Sequence, residues 1–202
     1  MPLQNRVQPT GEIIAHPARG QFMGNRGHIH RADRTLGASR WKLHAWLICV
    51  TCYPGRQRQV WGDSYTELFF LDEAVALAAG HRPCFECRRA DFHRFQSAWR
   101  VAHGEPATAP AMNARMHADR IATGRAQRRH AARLGDLPHG SFVLHGDAAA
   151  LLADGRLYPY DPCGYRPPRA ADPEAQVTVL TPRCTVAVLH AGYRPVLAPL
   201  PG

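Results

Sequence analysis

The stretch Glu73-Ala-Val-Ala-Leu-Ala-Ala-Gly-His-Arg-Pro-Cys-Phe-Glu-Cys-Arg-Arg89 decides how this chain is read. Asp72 precedes it as an acidic N-cap, strong helix formers follow, and Gly80 supplies a C-terminal stop, so a short helix is expected to end just ahead of Cys84 and Cys87. Beyond the cysteines, Arg88 to His103 places Phe92, Phe95, Trp99 and Ala102 at spacings of three and four, which predicts a second helix closed by Gly104. Its aromatic stripe reads as core. Cys87 then falls at a helix start, where the dipole favours a thiolate.

Upstream lies a matching pair, Cys49 and Cys52, with 31 residues between Cys52 and Cys84. Two such knuckles, each with backbone amides aimed at sulfur, complete a closed tetrahedron of four thiolates around Zn2+. Trp41 to Val50 is apolar enough for a strand leading into Cys49, and Gln57 to Trp61 is its expected hairpin partner across Tyr53-Pro54-Gly55. Cys52 is flanked by Thr51 and Tyr53 rather than a glycine, which leaves His44, His28 or His30 as alternative fourth ligands. A redox dithiol is the rival reading of either pair. Cys163 and Cys184 stand alone and are expected to be small core residues.

Over about residues 41 to 100, the order of helix, Ala-Gly-x-Arg-Pro turn and Cys-x-x-Cys resembles the zinc-binding DNA methylphosphotriester domain of the Ada family. The resemblance implies that Cys49, Cys52, Cys84 and Cys87 bind zinc. It also implies that Cys49 or Cys52 accepts a methyl group from a DNA backbone phosphotriester. Arg56 and Arg58, close in sequence to the first pair, are the expected cationic surface beside it. The first pair here is one residue shorter than the family's, and neither an AraC-like helix-turn-helix segment nor a guanine-methyl acceptor motif accompanies it.

The 202 residues carry a formal charge of +9, unevenly spread. Residues 1–60 hold nine Arg or Lys against Glu12 and Asp33, and residues 105–145 form a second basic segment with Arg125, Arg128, Arg129 and Arg133 close together. Two basic segments on an otherwise balanced chain are the footprint of a polyanion binder. Nucleic acid is the expected partner, DNA first, with phosphate contacts from Arg26, Arg31, Arg34, Arg56 and Arg58. Apolar residues at 45% and charged residues at 20% are globular values, and no run approaches the ~20 apolar residues of a membrane span. The first twenty residues lack an apolar signal core, and a cytoplasmic, reducing setting is expected, one in which paired thiols bind metal rather than each other.

The fold expected is α+β: an irregular basic arm over 1–40, a zinc-knuckle module over 41–104, then a helical segment and a small mixed α/β unit over 105–202. Within the last, Ala111 to Leu134 reads as helix interrupted near Gly124, Ser141 to His145 and Gln176 to Leu180 as strands, Asp147 to Ala153 as a short helix, and Arg183 to Ala191 as a helix. Asn113 and His117, four apart on a predicted helix, share a face. Together with a zinc frame they give the enzyme alternative, an HNH-like nuclease or other DNA-processing activity. A zinc-stabilised protein-interaction module is the further alternative.

Overall fold

In the computed structural model, residues 1–55, 59–104 and 107–202 are described. The element order is β1 (Gln4–Val7), β2 (Ile13–Ala15), β3 (Phe22–Asn25), β4 (Leu47–Val50), β5 (Leu68–Phe70), α1 (Glu73–Ala78), β6 (Arg82–Pro83), α2 (Arg89–His103), α3 (Ala109–Arg120), β7 (His130–Arg133), β8 (Ser141–His145), β9 (Ala148–Ala153), β10 (Arg156–Asp161), β11 (Gly164–Tyr165), β12 (Arg169–Ala170), β13 (Gln176–Val179) and α4 (Arg183–His190). The fold is mixed α/β, with two sheets and four α-helices among the described residues. No helix among them is long and apolar enough to cross a membrane.

The first sheet has the order β2-β1-β5-β3-β4-β6, with β1/β5 and β4/β6 parallel and the other pairs antiparallel. Three of its strands come from residues 1–40, where an irregular arm was expected. Each is three or four residues long, too short to show a period against the glycines and prolines around it; β1 and β3 are held by strands far along the chain, and β2 pairs with β1. The second sheet, β11-β10-β9-β8-β13-β7 with β12 beside β10, is antiparallel throughout.

Two further expectations are corrected here. Residues 148–153 form strand β9 rather than a helix, because tight turns force the chain back on itself at both ends. Gly146 has φ +61°, and Asp154 and Gly155 have φ +47° and +71°, the type I′ signature that pairs Ala153 with Arg156. That pairing satisfies the backbone of Ala-Ala-Ala-Leu-Leu-Ala despite its helical propensity. The helix expected over 111–134 stops at Arg120; Ile121 is extended, and residues 130–133 are recruited as an edge strand by β13.

Helix α1 lies between the sheets, touching β5 and β8, and all six of its residues are buried. One hydrophobic core runs from Val7 through α1, Phe95, Trp99 and Phe142 to Tyr193 and Ala198, while a smaller cluster of Leu134, Val143, Leu152, Leu157 and Val179 fills the other face of the second sheet. The aromatic stripe of α2 is core as its spacing requires, with Phe95 and Trp99 fully buried. Of the lone cysteines, Cys184 is buried as expected, but Cys163 is exposed on the turn that links β10 to β11.

The acidic start of α1 is an anchor. Asp72 caps the helix through Val75 N (2.9 Å) and also accepts from Tyr165 Oη and Ala198 N. Glu73 accepts from Arg88 Nη1 (2.8 Å), Tyr193 Oη (2.6 Å) and Val196 N (2.9 Å), so a buried carboxylate draws α1, the start of α2 and the C-terminal segment together.

Candidate metal centre and basic cavity

Parallel pairing of β4 with β6 sets the geometry of a cysteine cluster that could hold a metal ion. Leu47 lies beside Arg82 and Ile48 beside Pro83, and Cys84 N donates to Ile48 O at 2.9 Å, which brings the second cysteine pair alongside Cys49. The chain then turns, Arg88 N donating to Cys84 O, and enters α2 immediately after Cys87. The sulfurs of Cys49, Cys84 and Cys87 all lie within 4.8 Å of one another. Tetrahedral zinc at a Zn–S distance of about 2.3 Å asks for sulfurs roughly 3.8 Å apart, so the three thiols fit a metal ion with little adjustment.

The three thiols are hydrogen-bonded to one another. Cys84 is drawn well below the usual thiol range by hydrogen bonds from the Cys49 and Cys87 thiols, supported by the Cys87 and Glu86 backbone amides. Cys49 is pushed up, because hydrogen bonding to Cys84 and Cys87 and burial both favour its protonated form. A cation in place of the shared protons turns all three into ligands.

Cys52 stands apart. It is exposed and is not one of the clustered sulfurs. Nor do the alternative histidines fill its place: His30 bonds Thr66 Oγ1 (2.7 Å) and Gly62 O (3.0 Å) with Trp61 stacked on it, His28 packs on His30, and His44 stacks on His117 at 3.8 Å between ring centroids. The three-thiol cluster instead faces a cavity of about 330 Å³, lined also by Asn25, Tyr65 and Glu67. Glu67 is buried; its Oε2 accepts from Trp61 N at 2.7 Å, and its Oε1 has no partner among the described residues.

On the opposite face of the same sheet the chemistry reverses. Met23 pairs with Cys49 on the metal side, whereas Gly24 pairs with Ile48 on the core side. By alternation Arg26 and Trp46, just beyond β3 and β4, extend that core side. There a second cavity, about 660 Å³, is lined by Arg26, Arg40, Trp41, Trp46, Arg120, Arg125 and Arg129, with Glu12 the one acidic residue in its wall among the described residues. Arg26 and Arg120 are each 2% exposed and lie over the Trp46 ring, 4.0 and 3.7 Å from its centroid.

Neither buried arginine has a carboxylate among the described residues. Arg26 donates to His81 Nε2 (3.3 Å) and Gly11 O (3.3 Å), and Arg120 to Gly80 O (2.8 Å) and His44 O (2.8 Å). Arg26 Nη2 and Arg120 Nε have no partner among the described residues. Burial, and then Arg40, bring Arg26 down to about 9; burial, and then Arg26, bring Arg120 down to about 8. His81, fully buried beside Arg26, is held well below its ordinary range by burial and by the charges of Arg26 and Arg120, with Nδ1 facing Ala76 O and Nε2 facing Arg26.

The residues expected to touch nucleic acid therefore separate. Arg26 is inside the molecule, Arg31 and Arg34 are exposed, and Arg56 and Arg58 lie outside the described residues, as does part of the hairpin expected at 57–61. Asn113 and His117 do share α3, but Asn113 Oδ1 accepts from Arg82 Nε (2.9 Å), and His117 Nδ1 lies 2.9 Å from Arg120 Nη2. Burial and the Arg120 charge bring His117 down to about 4. Among the described residues the three cysteines are the one group of His, Cys, Asp or Glu arranged to hold a metal, so this pair has none beside it. Sequence reasoning singles out none of Glu67, Trp46 and Arg120, since each acquires its role only when the fold brings it to the wall of a cavity. No family model, curated protein or solved structure matches the chain.

Proposed function

We propose that this is a zinc-containing nucleic-acid-binding protein, with DNA as the expected nucleic acid and repair or maintenance as its setting. The observation that carries the reading is the convergence of two basic segments. Arg26 and Arg40 come from the first, and Arg120, Arg125 and Arg129 from the second, yet all five line one cavity. A surface that gathers cations from remote parts of the chain costs self-repulsion, which an anionic partner offsets. Zinc, when bound by Cys49, Cys84 and Cys87, would cross-link β4 to the start of α2 and so fix the sheet from which Arg26 and Trp46 project.

The test is a DNA-binding titration across salt concentrations with metal content measured in the same sample. Binding should weaken steeply with salt, and Arg40→Ala with Arg129→Ala should lower the log–log slope by about two, one per lost phosphate contact. Elemental analysis should give about one zinc per chain, lost in Cys84→Ser together with soluble yield, because structural zinc affinity is folding free energy. A salt-independent interaction, or none, leaves the protein-interaction module in place of this reading.

A second reading, a reactive rather than a closed metal site, is favoured by the three-thiol cluster facing a cavity that also holds the unpartnered Glu67 Oε1. Three protein ligands are the mark of open sites and four of structural ones. Cys52→Ser separates them: metal content is unchanged if three thiolates suffice and falls if Cys52 closes the tetrahedron.

A further inference from the structure

We infer that the floor of the basic cavity is a binding site for a phosphate monoester, built from Arg26 and Arg120 around Trp46. This deepens the nucleic-acid reading and rests on it for the strand, though not for the phosphate. Buried arginine is almost always paired with an acid, and a guanidinium nitrogen left without a partner calls for a group that is missing. Here two such side chains share one ring and one cavity, and each retains a nitrogen without a partner among the described residues. Two adjacent buried cations are best offset by a dianion. A phosphate monoester carries about −1.5 to −2 at neutral pH and presents several acceptor oxygens, which suits guanidinium forks better than a carboxylate does.

The rest of the cavity extends the match. Arg40, Arg125 and Arg129 stand exposed at its mouth, where they attract an anion and grip further phosphates. Trp41, half-buried in the wall, offers an aromatic face to the base attached to that phosphate. The volume lies within the roughly 300–1,000 Å³ typical of small-ligand sites. His81 reinforces the selection: with Nδ1 toward Ala76 O and Nε2 accepting from Arg26, it directs the Arg26 fork without adding a third charge. Two sources can supply this chemistry, a free nucleotide or the 5′-phosphorylated end of a strand.

The decisive experiment compares binding of AMP, adenosine, a 5′-phosphorylated oligonucleotide and the same oligonucleotide with a 5′-hydroxyl, by calorimetry and by thermal melting in phosphate-free buffer. AMP should bind and raise the melting temperature while adenosine does neither, and the 5′-phosphorylated strand should bind at least about tenfold more tightly than the hydroxyl strand, the value of one charge-assisted contact. Arg26→Gln should abolish the phosphate-dependent rise, and the exposed pair Arg40→Ala and Arg129→Ala, which leaves the floor intact, should weaken strand binding more than AMP binding. If AMP binds and neither strand does, the site holds a free nucleotide and the nucleic-acid reading fails alone. If both strands bind equally and AMP binds no better than adenosine, the phosphate site is overturned while nucleic-acid binding survives.

Discussion

Arg88 and the pair Arg26/Arg120 are buried to a similar degree, 5% exposed in the first case and 2% in each of the others, but their surroundings are opposite. Arg88 meets Glu73 at 2.8 Å and Asp91 at 2.7 Å, and although burial works against its charge, the Glu73 hydrogen bond and charge together with the charges of Tyr193 and Asp91 more than offset it and the pKa rises. Arg26 and Arg120 meet carbonyls, a neutral histidine and each other, and burial carries both down. Among the described residues, the chain thus pairs a carboxylate with the structural arginine and none with the two arginines that line a cavity. Desolvating a cation costs several kcal/mol whichever site it occupies. The difference marks one site as finished within the fold and the other as one completed by a ligand.

Removing the counterion should make the finished site resemble the unfinished one. Glu73→Gln leaves Arg88 buried with Asp91 alone and takes the charge from a carboxylate that also receives Tyr193 and Val196. A loss of about 3–5 kcal/mol is expected, seen as a lower midpoint in urea unfolding. Arg26→Gln, by contrast, removes a cation that has no counterion and should cost far less in phosphate-free buffer. Equal losses in the two variants would erase the distinction.

A smaller effect tests how the unpaired site is held open. Gly80 has φ +83°, and a Cβ there would meet Arg120 Cδ at 2.5 Å, so an L-residue is strained and also displaces the guanidinium stem. Gly80→Ala should cost roughly 1–3 kcal/mol and weaken phosphate binding, whereas Gly104→Ala, with φ +60° and open space around it, should cost stability alone.

The smallest effect is in pH. Because the folded protein keeps His81 neutral far below the usual imidazole range, the unfolded chain binds a proton below pH ~6.5 that the folded chain refuses, so stability falls as pH drops through this window. His117 contributes in the same direction down to about pH 4, though solvent reduces its share. Replacing His81 by Gln should remove at most about 1.4 kcal/mol per pH unit of this slope, measured as the difference between variant and wild-type unfolding curves from pH 7 to 5. Identical slopes would mean that His81 is not kept neutral beside Arg26.

The legible parts of the molecule were those whose signals are local. Asp72, the helix formers and Gly80 define α1 within two turns of chain; Phe92, Phe95 and Trp99 define the buried face of α2; and Pro182 with Gly192 brackets α4. Strand β9 was misread because its alanines and leucines favour helix, although Asp154-Gly155 already carried the hairpin signal that overrules them. Strands β1 to β3 offered no comparable cue, since a strand of three or four residues is defined by its partners.

By itself the sequence determined that Cys84 and Cys87 sit on a tight turn opening a helix and that two segments of the chain are strongly basic, because turn chemistry, helix capping and net charge act over a few residues. Tertiary structure alone decided the rest. Parallel pairing of β4 with β6 chose Cys49 rather than Cys52 as the neighbour of that turn. Strand alternation and the close of α3 set Arg26 and Arg120 over one tryptophan and, among the described residues, without a carboxylate partner. Whether a charge is balanced depends on what the fold brings within a few ångströms of it, and no local pattern of residues encodes that distance.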